Sequence, residues 1–399
     1  MKIVLYHFLN ITAKSESSIL REYFMRIIIA GGGPAAVEAA FSIRQYDQDS
    51  SIDIYTGENV LPYRRTLLPA VLAKTVPLER LPIYPAEFYR QYNINIHLAS
   101  KVVYIDKTKR CIVLQSGQSI EFDRLLVATG CRARKLPVPE SIADKVFTLH
   151  DLEDVEKIEQ ALPDSSEAIV IGGGVLGLEC AAALLKRKLK VTLIEQYSHI
   201  MHGVLDMECS NFLQKELLTD SNLKIITSSQ LQKITLSGNK ISCTLSSGKC
   251  VYADILVSAI GLIPGDNLGL ELTTDEYLQV TGCKDIYAAG DCAVICNRPN
   301  RYYKGAFLQG RIAGENITGL MKKYTFLPDE CRSILNNTAF YAAGLCDAEK
   351  CEADSEQDHK SLKKLFYLQD RLVGCMLVGN VQDAGELYSI IRKHHRLLS

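Results

Sequence analysis

The sequence predicts an α/β protein with two parallel-sheet units and a small C-terminal α+β domain. The first observation is a glycine-rich turn between an apolar run and a helical pattern, "IAGGGPAAVEAA" at residues 29–40. The second is its return as "IGGGVLGLECAA" at residues 171–182. The third is a set of alternating apolar segments after residue 320 that ends in a helical pattern. Strand, turn and helix in this order are typical of parallel sheets covered by helices.

The composition is that of a folded globular protein, with 47% apolar and 23% charged residues in a chain of 399. The formal net charge of -1 provides no overall attraction for nucleic acid. No apolar run reaches the roughly 18 residues of a membrane span. Thirteen cysteines without regular spacing indicate reduced thiols. We therefore expect a cytoplasmic protein that binds neither nucleic acid nor membrane.

The first 24 residues begin with "MKIVLYHFLN", an apolar run that superficially resembles a signal peptide. His7 interrupts this run, and no A-x-A-like cleavage site follows it. Because Met25 directly precedes the first apolar strand, we expect residues 1–24 to be an N-terminal extension or the result of an upstream start. A cleaved signal peptide is the alternative.

The first turn has the pattern of a Rossmann-like dinucleotide-binding unit. "MRIIIAG" is typical of a buried parallel strand, "PAAVEAAFSIRQY" has helical spacing, and "SIDIYTG" alternates like a second strand. Gly31 permits the tight turn, Gly33 lets the backbone approach a pyrophosphate, and Ala36 is small enough for close packing of helix on strand. Glu58 is the acidic residue expected to bind a ribose hydroxyl.

The second turn repeats the pattern at full G-x-G-x-x-G spacing. Gly172, Gly174 and Gly177 follow an apolar strand and open a helix, and Glu195 ends the next strand. Either turn alone could be a loop without a nucleotide, but two turns with flanking strand, helix and acidic residue indicate two nucleotide sites. A carboxylate at Glu195 accepts from ribose hydroxyls and repels a 2′-phosphate, and "EQYSH" contains no arginine, so we expect NADH rather than NADPH.

Three further segments carry a resemblance to a known superfamily. "FDRLLVATGCRARKLPVP", "ILVSAIGLIPGDNL" and "CKDIYAAGDCAV", together with the two turns, occur in an order that resembles the FAD-dependent pyridine nucleotide-disulfide oxidoreductases. The resemblance implies two Rossmann-like domains, with FAD on the first turn and NADH on the second. It also implies that Asp291 accepts from a ribityl hydroxyl of the flavin. Further cofactor contacts are implied for Thr129, Gly130, Gly261 and Gly290.

The same resemblance implies a division of the chain into domains. Residues 25–145 and 264–322 would form a discontinuous FAD-binding domain, and residues 146–263 the NAD-binding domain. Residues 323–399 would form a short C-terminal interface domain.

The stretch "LPYRRTLLPAVLAKTV", residues 61–76, contains no cysteine. Disulfide reductases and thiol-dependent NADH oxidases of the superfamily resemble one another in a reactive cysteine there. The P-Y-x-R-x-x-L pattern is instead similar to NADH:rubredoxin oxidoreductases and to the flavin-binding portion of nitrite reductase large subunits. Matching by position implies that Arg65 and Arg134 lie along the FAD. It also implies that the backbone of Val102 contacts the adenine and that Glu179 lies near the nicotinamide as the candidate catalytic residue.

One departure separates this chain from a neighbouring branch. Pro69 and Ala70 follow Leu68, where oxygenase-coupled ferredoxin reductases resemble one another in a lysine. This departure favours the rubredoxin branch and leaves Glu179 without its usual partner.

The resemblance implies an enzyme that passes electrons from NADH through FAD directly to a carrier protein, without a catalytic cysteine. The expected carrier is rubredoxin-like, a flavodiiron protein or a nitrite reductase module, and the protein is expected to be a monomer or homodimer. One alternative is a flavin NADH oxidase that uses oxygen or peroxide. Another is a non-enzymatic flavoprotein that senses NADH.

The remaining cysteines offer two candidate redox pairs, Cys292 with Cys296 and Cys346 with Cys351. Neither pair has the C-x-x-C spacing of a metal site, and we expect no metal. The preferred interpretation of Cys292 is a small residue packed under the flavin.

Overall fold

The computed structural model describes residues 24–299 and 302–398. The expected N-terminal extension, apart from its last residue, lies outside the described residues. The described helices are α1 Pro34–Tyr46, α2 Leu68–Leu72, α3 Ala86–Gln91, α4 Leu152–Ala161, α5 Val175–Lys186, α6 Met207–Leu217, α7 Tyr303–Ile317 and α8 Ala384–Leu398.

The strands follow the order of the chain. They are β1 Arg26–Ala30, β2 Ser51–Tyr55, β3 Ile94–His97, β4 Val102–Asp106, β5 Cys111–Leu114, β6 Ser119–Glu121, β7 Arg124–Val127, β8 Cys131–Ala133, β9 Val146–Phe147, β10 Glu167–Ile171, β11 Lys190–Ile194, β12 Leu223–Ile226, β13 Leu231–Ser237, β14 Lys240–Leu245, β15 Cys250–Ala253, β16 Ile255–Ser258, β17 Leu262–Pro264, β18 Thr273–Thr274, β19 Ile286–Ala288, β20 Val294–Ile295, β21 Arg298–Pro299, β22 Glu330–Leu335, β23 Thr338–Gly344, β24 Glu352–Gln357, β25 Leu362–Leu368 and β26 Arg371–Gly379.

The chain divides into two compact units. The first contains the described residues up to Tyr63 together with Pro82–Cys131 and Pro264–Thr325. The second contains Arg64–Leu81, Arg132–Ile263 and the described residues from Phe326 onward. The assignment of FAD to residues 25–145 and 264–322, and of NAD to residues 146–263, stays a prediction.

The first unit is built on a five-stranded parallel sheet in the order β19-β7-β1-β2-β3. Ile27, Ile28 and Ile29 of the central strand β1 are fully buried, as expected for a parallel strand covered on both faces. Helix α1 follows β1 and packs along α7. A three-stranded antiparallel sheet, β4-β5-β6, belongs to the same unit.

The second unit repeats this plan with the parallel order β12-β11-β10-β16-β9. Ile169 of the central strand β10 is fully buried in one core with Ile241 and Cys243 of the antiparallel sheet β13-β14-β15. Helix α5 follows β10 as α1 follows β1. The predicted α/β class with two Rossmann-like units is confirmed.

From Phe326 onward the second unit contains an antiparallel sheet in the order β22-β23-β26-β25-β24. Helix α8 packs on β23 and β26 and buries Leu387 and Ile391 against that sheet. The predicted C-terminal strands and final helix are therefore present, and the division of residues 323–399 as a separate interface domain stays a prediction. Across the described ranges 24–299 and 302–398, no helix combines the length and apolar character needed to cross a membrane.

Candidate nucleotide sites

The first glycine turn lies tightly against the ends of two strands. Gly31 has a φ of +123°, and a Cβ atom there would lie 2.1 Å from the carbonyl oxygen of Ala128. Its N–H donates to the carbonyl oxygen of Tyr55 at 2.8 Å. Gly33 precedes α1, and a Cβ atom there would meet nothing within 4 Å. The backbone is therefore open at Gly33, where a phosphate can approach the N-terminus of α1.

The parallel sheet brings most of the predicted first-unit residues to one edge. Since β1, β2, β7 and β19 are parallel, the loops that follow their carboxyl ends share this edge, where doubly wound sheets bind ligands. Ala36, on the first turn of α1, is fully buried behind the glycine turn. These loops carry the predicted residues Gly31, Gly33, Glu58, Thr129, Gly130, Gly290 and Asp291.

The loop after β2 carries Glu58, whose carboxylate oxygen Oε2 accepts from the hydroxyl of Tyr63 at 2.7 Å. Tyr63 is 4% exposed, so this bond fixes the direction of the carboxylate. Val102 is the buried first residue of β4. The segment that leads to it is tied to the same loop, because the N–H of Ser100 donates to the carbonyl oxygen of Thr56 at 2.7 Å.

Helix α7 supports this edge through residues that the motifs do not include. A Cβ atom at Gly310 would lie 2.2 Å from the carbonyl oxygen of Ala35 on α1. The side chain of Gln309 is fully buried, and its Oε1 accepts from the N–H of Gly290 at 2.6 Å. The G-x-x-x-G spacing of Gly310 and Gly314 is the sequence signal that could have revealed this close helix packing.

The second glycine turn has the same backbone form. Gly172 has a φ of +106°, and a Cβ atom there would lie 2.4 Å from the carbonyl oxygen of Ala259. A Cβ atom at Gly177 would lie 1.9 Å from the carbonyl oxygen of Gly172, so α5 can approach the turn only with glycine here. Gly174, which precedes α5, has open space where its Cβ atom would be.

Glu195 is the first residue after β11 and is 6% exposed. Its Oε2 accepts from the N–H of Gly173 at 2.5 Å, and its Oε1 accepts from the N–H of Tyr197 at 2.8 Å. Each carboxylate oxygen retains a further acceptor position, which a ribose hydroxyl can use. Gly261, after β16, has a φ of +102°, and its carbonyl oxygen accepts from the N–H of Arg134 at 3.0 Å.

Glu179 lies on α5, two residues beyond Gly177, and is half-buried. Its Oε1 accepts from the hydroxyl of Ser333 on β22 at 2.5 Å. Burial raises the pKa of the Glu179 carboxyl, and the Ser333 hydrogen bond offsets part of that rise. Sequence reasoning identified Glu179 but not Ser333, which is 154 positions away along the chain.

The two arginines expected along the FAD both belong to the second unit. Arg65 lies just before α2, and its Nη1 donates to the carbonyl oxygen of His150 at 2.9 Å. Arg134 follows β8 and is exposed. The structure thus groups the predicted residues by unit, with Arg65, Arg134, Gly172, Gly174, Gly177, Glu179, Glu195 and Gly261 in the second.

Residues 25–312 match the family of pyridine nucleotide-disulphide oxidoreductases. The chain belongs to this family. The rubredoxin-NAD(+) reductase of Ectopseudomonas oleovorans is 30% identical over 389 residues, which cover 92% of this chain and 99% of that protein. That of Pseudomonas putida is 29% identical over 388 residues with the same coverage. The chain is also similar to one chain in the crystal structure of the covalent putidaredoxin reductase-putidaredoxin complex, with 25% sequence identity and a TM-score of 0.83. The alignment covers 92% of this chain and 93% of the chain in that structure.

This oxidoreductase uses FAD and NADH as its cofactors and is an FAD-dependent NADH oxidoreductase. The residues present fit both dinucleotides, because each glycine turn leaves its backbone open before a helix and each has a carboxylate on the following loop. Bound FAD can take up two electrons together and release them one at a time. The chain itself supplies binding, orientation and electrostatics.

The thiols of this oxidoreductase are mostly buried. Cys292 is 4% exposed, with its Sγ 3.6 Å from the carbonyl oxygen of Val127, whereas Cys296 is exposed. Within the described part of the chain, no group of three or more His, Cys, Asp and Glu side chains could hold a metal ion. Burial raises the pKa of the thiols of Cys180, Cys209, Cys243, Cys292, Cys331, Cys346, Cys351 and Cys375.

Proposed function

We propose that this oxidoreductase passes electrons from NADH through FAD directly to a redox carrier protein, with no cysteine taking part. The carrier that the relatives favour is rubredoxin-like, since two rubredoxin-NAD(+) reductases align with 92% of the chain. A flavodiiron protein or a nitrite reductase module would accept electrons by the same chemistry. One NADH supplies two electrons and therefore reduces two one-electron carriers.

The observation that carries the proposal is the state of the thiols. Thiolates, not thiols, carry out disulfide exchange, and a raised pKa keeps a thiol protonated at neutral pH. Burial raises the pKa of Cys346 to about 12 and also raises the pKa of Cys292, so each candidate redox pair contains at least one thiol that is kept protonated at neutral pH. Residues 61–76 contain no sulfur at all. These features support direct transfer from the flavin to an external acceptor.

The test is turnover of purified, FAD-loaded protein with NADH and oxidised rubredoxin under nitrogen, followed through the rubredoxin absorbance. We expect two rubredoxins reduced per NADH and an unchanged rate in the Cys292→Ser, Cys296→Ser double variant. Loss of turnover in a double variant that still binds FAD would instead indicate a dithiol enzyme.

The same protein assayed in air separates the two alternatives. Consumption of NADH by oxygen or peroxide, without reduction of rubredoxin, would identify a flavin oxidase. NADH binding without turnover by any acceptor, including ferricyanide, would indicate a sensing protein. Either result contradicts the proposal.

A further inference from the structure

A cavity of about 950 Å³ lies within the second unit, beside the edge strand β9 of the parallel sheet. The strand β16 next to it and the helix α4 also contribute lining residues. Among the described residues that line this cavity, none belongs to the second glycine turn or to the loop that carries Glu195. Small-molecule sites have volumes of roughly 300 to 1,000 Å³. The cavity is therefore separate from the second glycine turn and has room for a small organic molecule.

Ser258, the last residue of β16, contributes a buried hydroxyl to the lining of this cavity. The residue is 4% exposed, and its Oγ has no hydrogen-bond partner within the part of the chain that the structure describes. A buried hydroxyl without a partner destabilises a fold, and nearly all buried polar groups in proteins have one. The Ser258 hydroxyl is therefore available to a ligand in the cavity.

A positive charge lies at the same end of the cavity as this hydroxyl. The carbonyl oxygen of Gly261, three residues beyond Ser258, accepts from the N–H of Arg134 at 3.0 Å. Lys135 follows Arg134 and lines the cavity, so it lies near the carboxyl end of β16. Among the described residues, Lys135 has no ion-pair partner. A hydroxyl donor and an ammonium group at one end favour an anionic group there.

Two of the acidic side chains in the lining are already hydrogen-bonded to protein donors. Asp154 Oδ2 accepts from the hydroxyl of Thr148 and from the N–H of His150, each at 2.8 Å. Asp254 Oδ2 accepts from the N–H of Ser166 at 2.8 Å. Protein donors therefore already stabilise the charge of both carboxylates.

The other two acidic side chains lie at the opposite end of the strands from Ser258. Asp144 precedes β9 and Asp164 precedes β10, and both line the cavity. Since β9, β10 and β16 are parallel, these residues lie at the amino end of the sheet and Ser258 lies at the carboxyl end. The cavity is thus acidic at one end and able to receive an anion at the other.

Apolar side chains line the cavity between these ends. Leu136 and Val138 lie in the segment that runs from Lys135 to Asp144, and both pack against the core of the second unit. Phe147 of β9 also lines the cavity. These side chains favour an apolar body next to the anionic group.

We propose that this cavity binds a small organic carboxylate. Its carboxylate group accepts from the Ser258 hydroxyl and from the ammonium group of Lys135. Its apolar body lies against Leu136, Val138 and Phe147. Hydrogen bonds to a charged group are stronger than those between neutral groups, so the charged end of the ligand contributes most to selectivity. The inference does not depend on the identity of the electron carrier.

The test is isothermal titration calorimetry of the FAD-loaded protein with 2-naphthoate and with 2-naphthamide, which has a similar shape but no charge. NAD⁺ at saturating concentration keeps the nucleotide site occupied. We expect one 2-naphthoate to bind per chain, at least about tenfold more tightly than 2-naphthamide. Lys135→Gln should weaken the binding of 2-naphthoate about 5- to 100-fold and leave that of 2-naphthamide unchanged.

Ser258→Ala should weaken the binding of 2-naphthoate by a similar factor. The same variant should raise the Tm of the protein without naphthoate, because it removes a buried group that has no partner. Ser210→Ala is the matched control, since Ser210 is also buried but its Oγ donates to the carbonyl oxygen of Ile200 at 2.8 Å. It should lower Tm and leave the affinity for 2-naphthoate unchanged. Lys215→Gln, on α6 and outside the cavity, should also leave this affinity unchanged.

Four results would overturn the proposal. No saturable binding of 2-naphthoate would mean that the cavity holds only water. Equal affinity for 2-naphthoate and 2-naphthamide would mean that the cavity does not select an anion. Binding that is lost when NAD⁺ is added would place 2-naphthoate in the nucleotide site. A lower Tm in Ser258→Ala would mean that the hydroxyl already has a partner.

Discussion

The two glycine turns have the same backbone form but differ in the side chain behind the middle glycine. A Cβ atom at Gly32 would lie 2.7 Å from Thr56 Oγ1, and one at Gly173 would lie 3.0 Å from Glu195 Oε2. Thr56 and Glu195 are each the first residue after the strand that follows the helix of their turn, β2 and β11. In the first unit the carboxylate comes two residues later, at Glu58.

The difference in side chains behind the middle glycine concerns ribose recognition, whereas the shared backbone of the turn concerns pyrophosphate binding. We expect the shared turn to present backbone N–H groups to a pyrophosphate, which both dinucleotides contain. We expect recognition of the ribose to depend on the loops after β2 and β11, where Glu195 is buried against its turn and the Glu58 carboxylate accepts from Tyr63. We expect the two acidic positions to serve the two different dinucleotides.

The helices that follow the turns show a second difference at matching positions. Glu38 on α1 and Glu179 on α5 each lie five residues after the third glycine of their turn. Glu38 is 4% exposed and pairs with Arg311, whose Nη2 lies 2.8 Å from Glu38 Oε1. Glu179 receives only the neutral hydroxyl of Ser333 among the hydrogen bonds described for its side chain. The first carboxylate has a cationic partner, and the second depends on a neutral donor.

The largest expected effect is the loss of a different cofactor function when each glycine turn is altered. Gly31→Ala places a Cβ atom 2.1 Å from a backbone oxygen at a φ of +123°, which should cost about 3 kcal/mol or more and remove bound FAD. Gly172→Ala should leave FAD bound and abolish reduction by NADH. Visible absorbance of the purified variants measures the first effect, and anaerobic bleaching by NADH measures the second.

Gly117→Ala is the matched control, because it has a φ of +87° but no neighbour within 4 Å of the added atom. It should bind FAD and react with NADH normally. Equal loss of FAD in Gly31→Ala and Gly172→Ala would contradict the assignment of one dinucleotide to each turn.

The next largest effect is expected from two substitutions that should weaken nucleotide binding without changing the stability of the fold. Gly33→Ala and Gly174→Ala add a methyl group where the structure has open space and an ordinary φ, of -90° and -77°. Each variant should keep its Tm within the change expected for about 0.5 kcal/mol. Gly33→Ala should weaken FAD binding at least about tenfold, and Gly174→Ala should raise KM for NADH by a similar factor. Normal binding by both would mean that no pyrophosphate approaches these glycines.

The parts of these sites that could be predicted from sequence are local. Apolar runs, helical spacing and glycines within one strand-turn-helix segment predicted both parallel sheets and both turns, because these patterns are set by neighbouring residues. Gln309 beneath Gly290 and Ser333 beside Glu179 could not be predicted in this way. Their contacts exist only after distant segments pack, and neither residue type is unusual in its own segment.

The position of the acidic residue shows the same limit. The pattern predicted an acidic residue near the ends of β2 and β11. How deeply each carboxylate is buried depends on contacts across the turn. Glu195 reaches the N–H of Gly173, whereas Thr56 occupies the corresponding place in the first unit. The roles of Glu58 and Glu195 in ribose binding stay predictions.

Replacing Glu195 by threonine, the residue at the corresponding position 56 of the first turn, tests whether this side chain determines the choice of nucleotide. Glu195→Thr gives the second turn the residue of the first and removes two hydrogen bonds to a charged acceptor. The variant also lacks the carboxylate that we expect to accept from the ribose. At about 1.5 to 3 kcal/mol for a hydrogen bond from a ribose hydroxyl to a charged group, kcat/KM for NADH should fall about 10- to 100-fold. NADPH should lose less, because the carboxylate no longer repels its 2′-phosphate, so the preference for NADH should narrow. An unchanged ratio of kcat/KM for the two nucleotides would contradict the role of Glu195.

The smallest expected effect concerns the two helix carboxylates and appears in stability. Burial raises the pKa of Glu179, so the folded state holds this proton more tightly than the unfolded state does. The resulting contribution to stability is present below the ordinary glutamate pKa and is lost as pH rises through the raised value. Glu179→Gln keeps the shape without the charge, so its Tm should match that of wild type at acidic pH and exceed it at neutral pH.

Glu38→Gln should have a lower Tm than wild type at neutral pH. The substitution breaks an ion pair with Arg311 and leaves a buried polar group with a weaker partner. Ser333→Ala sharpens the contrast further. Without the hydroxyl that offsets the effect of burial, the pKa of Glu179 should rise, and the loss of Tm should continue to a higher pH and grow larger. Thermal melts of the FAD-loaded variants across the acidic to neutral range measure all three. A Tm difference between Glu179→Gln and wild type that does not change with pH would show that the pKa of Glu179 is the same in the folded and unfolded states.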